Sequence, residues 1–158
     1  MQELLVVEVI PRGKGRTSIR FDNGMEVLLY KGEVRKLSLR EGTVISREKY
    51  DEIIYEILGT RAKKRAMFLL ERMDRTEHQL REKLMQNGYP DVCVDLAVEY
   101  VRKYHYIDDL RYATTYISYH QKKKSRQKLK MDLMAKGIEK SVIEQALDEV
   151  FDSDEQLK

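Results

Sequence analysis

Seven lysines and arginines fall within residues 110–131 with no carboxylate among them: Arg111, Lys122, Lys123, Lys124, Arg126, Lys128 and Lys130. Tyr112, Tyr116 and Tyr119 are interleaved with them. Lysine and arginine neutralise phosphates and tyrosine rings stack on exposed bases, so the chemistry on offer is the binding of a nucleic-acid strand. The same charges would meet an acidic protein surface equally well, and a run of this length also serves as a plain solvated face and loop. Because 36% of the chain is charged, a stretch this long without acid favours a binding face. The tyrosines follow i, i+4, i+7, a helical stripe, read with Tyr116 partly buried and Tyr119 exposed. Lys63, Lys64 and Arg65 make a second, smaller basic group, for which a solvated face and a binding face stand even.

Residue types suited to catalysis do not assemble into a site. His78, His105 and His120 lie in three separate stretches with no second ligand at metal spacing. Cys93 sits in an apolar helical stripe with no activating histidine or basic neighbour, and reads as a buried, inert thiol. Asp108 and Asp109 are a carboxylate pair, yet starting a helix accounts for at least one of them. RGKGR, residues 12–16, resembles half of a phosphate loop but lacks the GKS or GKT ending and a following helix, so it reads as a hairpin turn. The sequence is therefore read as non-enzymatic, without metal or cofactor.

Composition bounds the setting. The formal net charge is only +3, so overall charge does not mark a nucleic-acid binder and its distribution matters more. A single cysteine excludes an internal disulfide framework and suits a reducing compartment. No basic leader precedes an apolar run, and no stretch is long and apolar enough to cross a bilayer. A soluble cytoplasmic protein with no membrane partner, expected as a monomer, is the default.

An internal echo indicates what must position the basic run. At an offset of 49 residues, Thr76 falls on Ser125, Leu80 on Leu129, Leu84 on Leu133, Met85 on Met134, Gly88 on Gly137, Ala97 on Ala146 and Val101 on Val150. This is the mark of a duplicated helical unit that hides its apolar face by stacking on neighbours, an architecture that commonly binds something large. Thr76 with Gln79 predicts a capping box, and Gly88 and Gly137 sit where a helix needs a left-handed residue to stop. Helices are predicted over residues 61–73, 76–87 and 90–104, then 108–121, 125–136 and 139–151. Upstream, residues 4–10, 17–21 and 25–30 read as three antiparallel strands, with Asn23–Gly24 as a type I′ turn. Residues 46–58 read as a covering helix stopped by Gly59. The expected fold is mainly α: tandem three-helix repeats preceded by a small antiparallel β-sheet subdomain. Its parts are a β extension with covering helix over 1–60, repeat one over 61–107, repeat two over 108–152 and an acidic tail over 153–158.

The run YHYIDDLRYATTYI followed by KKKSRQKLKMDLMAKGI resembles the second repeat of the RecX family, the bacterial regulators of the RecA recombinase. AMFLLERMDRTEHQLREKLMQNGY resembles that family's first repeat, and the leader is similar to the N-terminal extension of some members. The family generally has three tandem repeats, whereas two are expected here. The resemblance implies a non-enzymatic partner of the RecA filament on single-stranded DNA that lowers its ATPase and strand-exchange activity in recombination, DNA repair and the SOS response. Binding to single-stranded DNA alone is expected to be weak. The alternatives are a general helical DNA-binding module acting without RecA and a scaffold whose basic face pairs with an acidic protein. The residues expected to contact RecA or DNA are Arg111, Tyr112, Tyr119, Lys122, Lys123, Lys124, Arg126, Lys128 and Lys130, with Lys63, Lys64 and Arg65.

Overall fold

Local sequence chemistry sets the ends of the elements. In the computed structural model, which describes residues 2–156, strands β1 (Leu4–Gly13), β2 (Arg16–Phe21), β3 (Glu26–Tyr30) and β4 (Val44–Ile45) form one antiparallel sheet in the order β3-β2-β1-β4. Helix α1 (Lys31–Lys36) separates β3 from β4. The remainder is helical: α2 (Arg47–Asp51), a π-helical segment (Glu52–Leu58), α3 (Gly59–Arg72), α4 (Glu77–Gln86), α5 (Asp91–Lys103), α6 (Asp109–His120), α7 (Arg126–Ala135) and α8 (Lys140–Gln156). The chain is thus mainly α, with three-helix units following a small sheet. The helix α8 carries the backbone past Phe151 to Gln156; residues 157–158 of the segment read as an acidic tail lie outside the described residues. By contacts the chain falls into two compact units, residues 1–64 with 84–97, and residues 65–83 with 98–158.

The first unit is built around alternating strand residues. Val6, Ile19, Phe21, Val27 and Leu29 are buried, and Phe21 meets Tyr50 of α2 edge-on with ring centroids 5.1 Å apart. Asn23 donates from Nδ2 to the Tyr50 hydroxyl at 3.0 Å, so the hairpin and its covering helix are tied as well as packed. Three local readings are corrected. The sheet has four strands, the short β4 pairing Leu4 with Ile45 and Leu5 with Val44. Asn23–Gly24 is not a type I′ turn. Only Gly24 there has positive φ (86°); its N–H bonds Phe21 O, and Asn23 Oδ1 accepts from Met25 N, a type I turn closed by a left-handed glycine. Both central residues are left-handed instead at Lys14 (φ 53°) and Gly15 (φ 74°), so the segment 12–16 is a hairpin turn of the primed kind.

Gly59 does not stop a helix. Its backbone is right-handed (φ −60°), and the helix continues unbroken through the π segment into α3. A Cβ there would lie 3.3 Å from Leu96 Cδ1 and 3.4 Å from the Ile54 carbonyl, so glycine serves close approach. Cys93 is buried in the same unit, its thiol donating to Ile54 O at 3.2 Å, and burial pushes its pKa up to about 11, which makes it an inert thiol at neutral pH.

The second unit contains a core of Ala113, Ile117, Leu129, Leu133, Ile138, Ile143, Ala146, Leu147 and Val150. The capping box forms as expected: Gln79 N donates to Thr76 Oγ1 at 3.2 Å and Thr76 N to Gln79 Oε1 at 3.0 Å. Thr76 is fully buried because its hydroxyl also donates to Lys136 O at 2.7 Å, joining the start of α4 to the end of α7. The next N–H, of Glu77, donates to Asp109 Oδ1 at 2.9 Å. Asp108 caps its own helix α6 through Arg111 N, so the paired carboxylates are two caps on two helices. Gly137 follows α7 with φ 84°, and a Cβ on it would collide with the side chain of His78. Gly88 shares the left-handed conformation (φ 90°) but a Cβ there would meet only Leu28, at 3.5 Å.

Gly88→Ala is therefore expected to carry only the left-handed strain of about 1–2 kcal/mol. Gly137→Ala is expected to cost more, through that strain plus displacement of His78 from the α4 start. Urea unfolding of the two variants checks this; equal losses would remove the close approach from the account.

Candidate binding surface

The α6–α7 connection places the basic run. Lys123 N and Lys124 N both return to His120 O at 3.0 Å, closing the end of α6, and Ser125 then caps α7 by accepting from Lys128 N at 3.1 Å. Lys122 and Lys123 stand exposed on this turn with no carboxylate within ion-pair distance among the described residues. Arg111 is likewise exposed and bonds a neutral group, His105 O, at 3.1 Å. Tyr119, on the last turn of α6, is 83% exposed, whereas Arg111 lies on the first turn of that helix.

The other cations of the run are engaged internally. Lys124 Nζ lies 2.7 Å and Lys128 Nζ 3.0 Å from the two oxygens of Asp132, and the Tyr116 hydroxyl donates to the same carboxylate at 2.8 Å. Hydrogen bonds from Lys124, then Tyr116, then Lys128 hold the Asp132 carboxyl far below the usual range, and the bond to Asp132 raises Lys124 in turn. The ammonium groups of Lys124 and Lys136 each lie 5.4 Å from the Tyr116 ring centroid, so this ring is occupied by cations of its own chain. Arg126 pairs with Asp148 at 3.0 Å and reaches the Phe151 ring, and Lys130 pairs with Glu144 at 2.5 Å. The sequence window without acid is met in space by acids from just beyond it.

Tyr112 is half-buried against the core of the second unit, where burial raises its pKa. On α3, Lys63 is partly buried and Lys64 exposed; Arg65 lies 5.1 Å from the half-exposed Phe68 ring, which Arg72 also approaches at 4.7 Å. Charge counting along the chain missed this Phe68 group. It also missed Tyr100, Tyr104 and Tyr106, which cluster at the α5–α6 elbow with centroids 5.0 and 6.4 Å apart. A helical stripe would find Tyr100 with Tyr104, but Tyr106 joins them only because His105 turns left-handed (φ 61°). Among the described residues no group of three His, Cys, Asp or Glu gathers to hold a metal, and no helix is long and apolar enough to cross a membrane.

Comparison with known proteins bears on the same segments. Residues 62–100 match the family model "RecX, first three-helix domain" and residues 108–147 match "RecX, second three-helix domain". The chain is 30% identical over 141 residues to the regulatory protein RecX of Clostridium acetobutylicum, covering 89% of this chain and 66% of that protein. It is 28% identical over 157 residues to the regulatory protein RecX of Caldanaerobacter subterraneus subsp. tengcongensis, covering 98% and 80%. A crystal structure of regulatory protein RecX superposes with a TM-score of 0.59 at 23% identity, covering 92% of this chain and 73% of that one, a likeness of fold.

Asp132 gives this surface a pH signature. Its folded pKa lies below the ordinary aspartate value of 3.8, so ionised Asp132 stabilises the fold above about pH 4 and that contribution is lost as pH falls through the folded value. Asp132→Asn is expected to lower the melting temperature at pH 7 and to lose less on acidification to pH 3 than the parent does. Identical melting curves at pH 7 would show that the carboxylate organises nothing.

Proposed function

The chain belongs to the RecX family of regulatory proteins, and we propose that it acts as a cytoplasmic, non-enzymatic modulator that binds RecA and its filament on single-stranded DNA. Binding lowers the ATPase and strand-exchange activity of the filament during recombination and repair. The observation that carries this reading is the match of two successive three-helix segments to RecX domains, with exposed cations lacking internal carboxylate partners on the second. Lys122 and Lys123 make first contact with phosphate or acidic protein, with Tyr119 on the adjoining last turn of α6 and Arg111 on the first turn of the same helix. Arg126 and Lys130 join by exchanging single, largely exposed carboxylates, which hold them weakly. Lys124 and Lys128 shape the face through Asp132. Lys63, Lys64 and Arg65 on α3 are a second contact group taken by itself, and Tyr112 supports the α6–α7 face from the core.

The test is the ATPase of the cognate RecA on single-stranded DNA, titrated with the full chain. Substoichiometric inhibition is expected, and the double variant Lys122→Glu/Lys123→Glu is expected to need at least about fivefold more protein for the same effect, since like charges are placed against the partner. An unchanged ATPase at all ratios would contradict the reading. Tight, salt-labile DNA binding without any effect on RecA would favour a general helical DNA-binding module instead.

A further inference from the structure

The tyrosines at the α5–α6 elbow are organised unlike core residues. Tyr100, Tyr104 and Tyr106 are 36%, 52% and 47% exposed, while the intervening Val101 and the following Ile107 are buried. Lys103 lies 5.9 Å from the Tyr104 ring centroid, and Arg111 bonds the carbonyl of His105, the residue between Tyr104 and Tyr106. Neither Lys103 nor Arg111 has a carboxylate at ion-pair distance among the described residues, in contrast to the α7 cations. The nearby Asp108 is occupied as the cap of α6.

From these observations we infer that Tyr100, Tyr104 and Tyr106, with Lys103 and Arg111, form a stacking platform for the bases of a single-stranded nucleic acid, separate from the α6–α7 turn. Exposed aromatic rings beside cations that lack an acidic partner are the composition that binds unpaired bases and their phosphates together, the base displacing Lys103 from the Tyr104 ring. Tyrosine and arginine also anchor protein hot spots; the lack of an acidic partner for Lys103 and Arg111 among the described residues is what favours a phosphate-bearing strand here. Tyr104 and Tyr106 are neighbours on this surface, tilted by 34° with centroids 6.4 Å apart. The left-handed His105 is what brings both rings to one side of the elbow.

The platform requires no recombinase, so its test is independent of the ATPase assay. The full chain is titrated at low salt with a fluorescein-labelled oligothymidylate and with an abasic strand of the same length. The parent is expected to prefer the strand that carries bases. Tyr104→Leu/Tyr106→Leu is expected to weaken oligothymidylate binding about tenfold while leaving abasic binding and the salt slope unchanged. Tyr104→Phe/Tyr106→Phe is expected to retain binding, which separates stacking from hydroxyl contacts and from misfolding, and helical circular dichroism should match the parent in both. Equal affinity for the two strands, no loss in the leucine variant, or no binding by the parent would each overturn the platform. If the leucine variant lost RecA inhibition but not strand binding, the elbow would be a protein contact and the inference would fail.

Discussion

A fully buried threonine hydroxyl holds the second unit in register. Thr76 closes the first turn of α4 and donates to the last exposed carbonyl of α7, at Lys136, while Asp109 at the start of α6 takes the adjoining Glu77 N–H. Three helix ends therefore share one small group of atoms. Each end would otherwise leave backbone donors or acceptors unpaired away from water, at a cost of about 1–3 kcal/mol per group. Gly137 belongs to the same junction because only hydrogen at its α-carbon lets His78 lie against it. Arg102 and Arg81 close on Glu77 from the flank, which lowers the Glu77 pKa despite its burial. With α6 and α7 fixed in this way, the turn that carries Lys122 and Lys123 has a defined place.

That junction also decides which cations can act. Packing α8 beside α7 brings Glu144 and Asp148 onto Lys130 and Arg126, and the helical spacing of α7 itself brings Asp132 onto Lys128. Only Asp132 collects three donors, and it is the most sheltered of these acids. The positive face is therefore graded. Some charges are fixed to the fold, some are loosely held, and a few have no acid near them.

Much of this fold is legible in the sequence because it is written in local, periodic signals. The repeated Leu–Leu–Met–Gly spacing, the Thr76–Gln79 cap and the strand alternation each report on residues within one turn or one hairpin, and those elements stand where expected. The errors arise where a residue answers to a distant neighbour. Gly59 looks like a helix stop, but it is glycine because Leu96 packs against it. Asn23–Gly24 has the composition of a primed turn, yet Asn23 is committed through its side chain to Tyr50 and Met25. The basic run shows the same limit. Its charge was legible, whereas its neutralisation by Asp132, Glu144 and Asp148 depends on how the helices pack. The tyrosine elbow depends on a single left-handed residue, His105, whose conformation no spacing rule announces.

The central claim is that most of the basic run is neutralised within the fold, leaving few cations for a polyanionic partner. The salt dependence of oligothymidylate binding counts them directly, because each phosphate neutralised on a single strand contributes about −0.7 to the slope of log K against log salt. With Arg111, Lys122, Lys123 and Lys103 as the available cations, and Arg126 and Lys130 joining by exchange, the slope should lie between about −3 and about −4. A slope steeper than about −5 would mean that the cations fixed by Asp132 also engage the strand, and the graded surface would be contradicted.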